Sequence, residues 1–139
     1  MHLTRQTDFA LRTMIYLAAL PPGERVQIRT VCERFEIAPS HLSKIVNKLA
    51  NSGYIDSLRG RGGGIRLGRE AADINVGALV QLMEPSLTPI NCESPRCVLL
   101  PGCRFRIVLG KASKAFIDTI AGYTLEDLVD GEREALRLV

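Results

Sequence analysis

Apolar residues recur at helical spacing along three stretches of the N-terminal half. Over residues 3–20, Phe9, Ala10, Leu11, Met14, Ile15 and Leu17 follow a capping candidate at Thr4, and Pro21-Pro22 ends the run. A second helix is expected over 28–35, with Val31, Cys32 and Phe35 on one face. After the connector Glu36-Ile37-Ala38, Pro39 suits a first helical turn. Leu42, Ile45, Val46 and Leu49 then fall at i, i+3, i+4 and i+7, one apolar stripe. The opposite face holds Ser40, His41, Ser43, Lys44, Asn47 and Lys48, and Gly53 closes the helix. Short strand candidates at 54–58 and 65–67 flank Arg59-Gly60-Arg61-Gly62-Gly63-Gly64. Two short helices across a tight turn, the second with a polar and basic outer face, predict a helix-turn-helix over about 28–51. With a hairpin wing over about 55–67, the expected fold is mainly α with a small β-hairpin, a winged helix-turn-helix.

The C-terminal half carries a short helix over 74–83, stopped by Pro85, and then a loop rich in cysteine and proline. Beyond it, Phe105, Val108, Leu109, Ala112, Phe116, Thr119, Ile120 and Tyr123 repeat at helical spacing over about five turns. So long an amphipathic helix has little partner surface inside so small a chain, which points to pairing with a second copy. Packing on the chain's own first helix is the alternative. Thr124-Leu125-Glu126-Asp127 reads as a capping box for a last short helix, and the tail at 132–139 looks poorly anchored. Residues 1–70 then form the DNA-binding domain, and 71–139 the cysteine loop and dimerisation helix, in one compact unit.

Composition narrows the function classes. No apolar run approaches the roughly 18–20 residues that span a bilayer, and the best stretch, from Met14, stops at Pro21. Asp8 and Arg12 interrupt any signal-peptide core, so the expectation is a cytoplasmic protein without a membrane partner. The net charge of +3 hides an asymmetry: residues 1–69 carry 11 Lys/Arg against 5 Asp/Glu, and residues 70–139 carry 7 against 10. The basic half fits a polyanion. Ser40, His41, Ser43, Lys44 and Asn47 are candidates for base edges or phosphates of double-stranded operator DNA, and Lys48, Arg59 and Arg61 for backbone contacts. The plain alternative, a solvated helix face, explains neither the wing nor the charge asymmetry. A nucleotide loop is a poor fit to the glycine string, because the Gly-Lys-Ser/Thr ending is missing and no helix follows directly. No nucleophile–base pair or paired carboxylates suggest an enzyme.

Three of the four cysteines, Cys92, Cys97 and Cys103, lie in one loop with spacing C-x4-C-x5-C. In a reducing compartment such clusters are metal ligands or redox sensors rather than structural disulfides. Zinc sites usually carry a C-x2-C knuckle and, when closed and structural, four protein ligands; the knuckle is absent, and no histidine lies near the loop, the only two being His2 and His41. An iron–sulfur cluster, a structural zinc and a metal-free thiol switch all remain open from spacing alone. Cys32, on an apolar helix face, reads as a buried structural residue.

Taken together, these residues resemble a known family. Leu3-Thr4, Thr7-Asp8-Phe9-Ala10-Leu11-Arg12, Ser43-Lys44-Ile45-Val46-Asn47-Lys48-Leu49, Gly53-Tyr54-Ile55, the wing through Leu67 and the loop from Asn91 to Cys103 look like the small iron–sulfur winged-helix regulators that include IscR. The resemblance runs from residue 3 to about 129 and is nearest to the nitric-oxide-sensing NsrR-type branch. Members like IscR place a histidine ligand three residues after the last cysteine; Arg106 stands there, which counts against that branch. The resemblance implies a homodimeric repressor holding an iron–sulfur cluster (4Fe–4S favoured, 2Fe–2S possible) through Cys92, Cys97 and Cys103. It implies Asp8 of the partner subunit as a fourth ligand, and release from operator DNA when nitric oxide reaches the cluster. Asp8 and Arg12 also stand at i, i+4, the spacing of an ordinary surface ion pair. The rival readings are a same-fold regulator of iron or cluster supply, one using zinc structurally, and an electron-transfer or cluster-delivery protein.

Overall fold

Thr4 sets where the first helix begins. A computed structural model describes residues 2–129, so the tail at 132–139 lies outside the described residues. Thr4 is extended, and its hydroxyl accepts the Thr7 N–H at 3.3 Å, so helix α1 runs Arg5–Ala19 rather than 3–20. Its inner face buries Ala10, Met14, Tyr16 and Leu17 together with Thr7 and Thr13. The Thr13 hydroxyl donates to the Phe9 carbonyl at 2.7 Å, which satisfies it inside the core.

Helices α2 (Ile28–Phe35) and α3 (Pro39–Asn51) form the expected helix-turn-helix. Glu36 closes α2 at φ 53, in the left-handed region, and the Ile37 N–H bonds back to the Cys32 carbonyl at 3.0 Å. That reversal lets Pro39 open α3 and aims Leu42, Ile45, Val46 and Leu49 into the core, all at most 1% exposed. Strands β1 (Ile55–Leu58) and β2 (Gly64–Leu67) pair antiparallel with Asp56 opposite Arg66 and Leu58 opposite Gly64. A third segment, without a strand signal in the sequence, joins them. Val26, in the α1–α2 connector, exchanges two backbone hydrogen bonds with Ile65, at 3.0 and 2.8 Å. A lone valine between Arg25 and Gln27 carries no strand periodicity to read.

A 3₁₀ turn (Ala71–Asp73) leads to α4, which spans Val76–Met83 rather than 74–83. The Asn75 side chain caps it by accepting the Ala78 N–H at 3.0 Å. Ile74 stays extended because its carbonyl accepts the Leu125 N–H at 2.8 Å, joining α4 to the C-terminal helix. Helix α5 runs Arg104–Ile120 and α6 Leu125–Val129. Thr124 and Asp127 form the capping box: the Thr124 N–H donates to the Asp127 carboxylate at 2.7 Å, and the Asp127 N–H to the Thr124 hydroxyl at 3.4 Å.

One hydrophobic core joins both halves of the chain. Ile74, Leu79, Met83 and Leu125 belong to the same buried cluster as Met14, Val31, Leu42 and Ile65. Helix α5 stands outside it, with no buried residue. Its expected stripe divides: Leu109, Phe116 and Ile120 are half-buried, whereas Phe105, Val108, Ala112, Thr119 and Tyr123 are exposed. Helix α5 meets α4 at its C-terminal end, where a Cβ on Gly77 would stand 2.7 Å from that of Ala121, the α5 C-cap, and the Asn75 side-chain amide donates to the Ala121 carbonyl at 2.7 Å.

Candidate nucleic-acid interface and cysteine loop

Among the described residues, the polar side chains on the outer face of α3 make no hydrogen bond or ion pair. Ser40, Lys44 and Asn47 are exposed, and His41, Ser43 and Lys48 are half-buried. His41 alone has a described partner, the Phe9 ring of α1, edge-on at 5.3 Å. The wing turn presents Arg59 and Arg61, both exposed and, among the described residues, without an ion pair. Its glycines are required by geometry. Gly60 and Gly62 have φ of 92 and 72, and a Cβ on Gly63 would meet the Leu58 carbonyl at 2.3 Å. A cleft of about 340 Å³ separates α3 from the wing, with Ser43, Asn47 and Arg59 among its walls. Gln27, Arg29 and Ser57 also line it, though no sequence motif marks them. Arg29 opens α2 and pairs with Glu33 at 2.8 Å, both largely exposed, so that surface pair is easily exchanged for a phosphate. A larger cleft, about 810 Å³, lies between the end of α1, the wing root and α6, away from both α3 and the cysteine loop.

The segment between α4 and α5 holds the three loop cysteines, all free thiols and all half-buried. It is organised by its own backbone. The Asn91 side chain accepts the Glu93 and Ser94 N–H groups at 2.9 and 3.1 Å, and the Cys97 N–H donates to the Cys92 carbonyl at 2.9 Å. Cys103 is the N-cap residue of α5. Arg106 reaches back toward the Glu93 carboxylate at 3.9 Å. At the other end the loop is tied to α1: the Glu84 carboxylate accepts the Thr4 N–H at 2.6 Å and the Thr4 hydroxyl at 3.1 Å. Asp8 lies one turn further along α1, its carboxylate bonded to Arg12 at 2.8 Å, both about half exposed. Such an i, i+4 pair contributes only about 0.3–0.5 kcal/mol, and it raises the Arg12 pKa through the hydrogen bond and then the charge of Asp8.

Three soft thiolate donors on one loop suit a cluster's iron in kind. Among the described residues no three His, Cys, Asp or Glu side chains converge on a single metal point, and Asp8 is not brought to the loop within the chain. Cys32 is apart, 5% exposed in the core, where burial pushes its thiol pKa up.

Residues 3–131 match the family model Rrf2, described as an iron-dependent transcriptional regulator. The chain belongs to the Rrf2 family. It is therefore a transcriptional regulator and not an enzyme. Solved Rrf2-type folds superpose closely. CymR (YrzC), the global cysteine regulator of B. subtilis, matches at TM-score 0.77 and 24% identity over 93% of this chain and 96% of that one. The oxidized form of Staphylococcus aureus CymR gives 0.76 and 24%, covering 94% and 97%. IscR of T. potens gives 0.78 and 22%, covering 97% and 90%. At such identities the likeness is one of fold, a winged helix with a two-stranded hairpin. Among the described residues of this Rrf2 chain no helix is long and apolar enough to cross a membrane.

Proposed function

We propose that this Rrf2 protein is a cytoplasmic, homodimeric repressor that reads operator DNA with α3 and the wing and senses nitric oxide through an iron–sulfur cluster on the cysteine loop. The observation that carries the reading is the gathering of Cys92, Cys97 and Cys103 on one short loop whose root is fastened to α1 by Glu84. These three thiolates would hold the cluster, 4Fe–4S in preference to 2Fe–2S, with Asp8 of the partner subunit as the fourth ligand. Residues 1–70 then read DNA, while 71–139 sense and dimerise.

Bound there, the cluster would supply iron with which nitric oxide can react. A carboxylate is a harder partner for such iron than a thiolate, so Asp8 would be the ligand most readily given up. The chain's own contacts give the signal a route. Glu84 holds the loop root to Thr4, α1 carries Asp8 beside Phe9, and Phe9 packs on His41 of the recognition helix. A change at the loop would then pass along α1 to α3 by this chain of surface and half-buried contacts.

Coupling free energies between sites are typically about 1–3 kcal/mol, so saturating nitric oxide should weaken operator binding by about 5- to 150-fold. The test is anaerobic purification, a visible absorption spectrum and a nitric-oxide titration of DNA binding. A colourless protein with stoichiometric zinc, or operator affinity indifferent to nitric oxide, overturns the proposal. Asp8→Ala should alter the cluster spectrum; an unchanged spectrum removes Asp8 from the ligand set. The family's description as iron-dependent supports a second reading, a regulator of iron or cluster supply. It predicts that iron chelation shifts operator affinity while nitric oxide on the loaded protein does not.

A further inference from the structure

The connector between α1 and α2 does more than link helices. Arg25 lies within it, its side chain only 17% exposed, and its guanidinium grips the hairpin at three points. One amino group donates to the Asp56 and Gly64 carbonyls, both at 3.1 Å, and the other to the Asp56 carboxylate at 2.6 Å. Arg66, directly opposite Asp56 in the ladder, donates to the same carboxylate oxygen at 2.9 Å. Two residues on, the Gln27 side chain donates to the Gly63 carbonyl at 2.9 Å. With the Val26–Ile65 pair, three successive connector residues fasten the root of the wing. Space is absent for slippage: Gly64 has φ 131, and a Cβ there would stand 2.6 Å from the Val26 carbonyl.

Gln27 is also the N-cap residue of α2, and α2 packs on the recognition helix. The connector therefore fixes two things at once, the angle of the wing and the seat of α3. The wing tip, by contrast, has nothing holding Arg59 and Arg61 among the described residues. A two-stranded hairpin alone is marginal in water, so its aim must be set at its root.

We propose that Arg25 is a positioning residue for DNA binding: it touches no DNA, and by clamping Asp56 and Gly64 it aims Arg59 and Arg61 at the duplex that α3 reads. The proposal rests on the DNA-binding reading above and is independent of the metal and of nitric oxide. Lysine keeps the charge but cannot reproduce the forked, planar contacts of arginine. Arg25→Lys therefore isolates geometry from charge.

The experiment uses the full-length protein, purified anaerobically, and a duplex enriched by the wild-type chain from a random-sequence library. Affinity is measured across salt concentrations for wild type, R25K, R59A/R61A and all three substitutions together. Each lost phosphate contact lowers the slope of log affinity against log salt by about 0.9. R25K should lower it by about 1–2 per chain bound, as R59A/R61A does, and the combination should lose no more than either alone. A clamp that serves stability only would lower the melting temperature and leave the slope intact, which overturns the proposal, as do independent, additive losses. If R25K loses helical content, D56N serves in its place with the same expectations. Failure of the wild type to enrich any duplex overturns the DNA-binding reading itself, a distinct result.

Discussion

Glu36 carries the one left-handed backbone among the described non-glycine residues, at φ 53. For an L-residue that region costs roughly 1–2 kcal/mol, whereas glycine there adds about 0.4–1 kcal/mol of unfolded-state entropy to be lost on folding. The strain term is the larger, so Glu36→Gly should stabilise the fold by up to about 1 kcal/mol, read as a shift in urea midpoint at constant slope. A lower midpoint means that the exposed glutamate does something at the turn that the strain argument omits. Cys32 offers a second test at this scale. Its burial and raised pKa keep the thiol protonated, while the loop thiols are half-open. In metal-free folded protein, iodoacetamide should modify Cys92, Cys97 and Cys103 first and Cys32 only on unfolding, as peptide mass spectrometry will show. Cys32, the Thr4 cap and the capping box at Thr124 were legible because their signals are local. Arg25 and Glu84 were not: their partners lie 31 and 80 positions away, and a lone charged residue does not announce which backbone it will reach.

At the scale of elements, helix faces were legible wherever one side met the core. Leu42, Ile45, Val46 and Leu49 repeat at a spacing that only a helix reproduces. Boundaries were less so, since Ile74 reads as helical until its carbonyl is given to Leu125. The contact of α4 with α5 was invisible, because it depends on what Gly77 lacks. Alanine for glycine in a helix normally gains about 1 kcal/mol of propensity. Here the new Cβ would overlap Ala121 backbone atoms at 2.8 and 3.0 Å, and such overpacking costs typically about 1–3 kcal/mol. Gly77→Ala should therefore destabilise, or splay α5 and change the dimer, read by melting and sedimentation. The wing makes an acid-side prediction. Hydrogen bonds from Arg66, then Arg25, hold the Asp56 pKa below its ordinary 3.8. A depressed folded pKa supplies stability above the unfolded value and loses it as pH falls through the folded one. The melting temperature should thus decline below about pH 4, and D56N should flatten that part of the curve; an identical acid limb in D56N counts against the clamp as a stabilising contact.

For the molecule as a whole, the decisive feature is a core that closes without α5. Seventeen residues of helix, about 25 Å at 1.5 Å per residue, carry Phe105, Ile107 and Val108 between 57% and 61% exposed. The periodicity of this helix was readable, but which of its residues would stay uncovered was not, because Leu109, Phe116 and Ile120 turned partly toward the chain's own surface. An uncovered apolar face of this length on a DNA-binding fold is best closed by its own copy, since two-fold pairing also duplicates the recognition helix for paired half-sites. A stable interface needs roughly 1,200–2,000 Å² in total, and a charge at its centre would be buried unpaired. Val108→Asp, at an exposed position that cannot disturb the closed core, should convert a sedimenting dimer into a folded monomer with unchanged circular dichroism. The monomer should then bind a duplex with two half-sites no more tightly than one with a single half-site, and its salt slope should fall by about half as half the phosphate contacts are lost. A wild-type chain that sediments as a monomer at micromolar concentration, or a Val108→Asp variant that stays dimeric, would mean that α5 is covered by something other than itself.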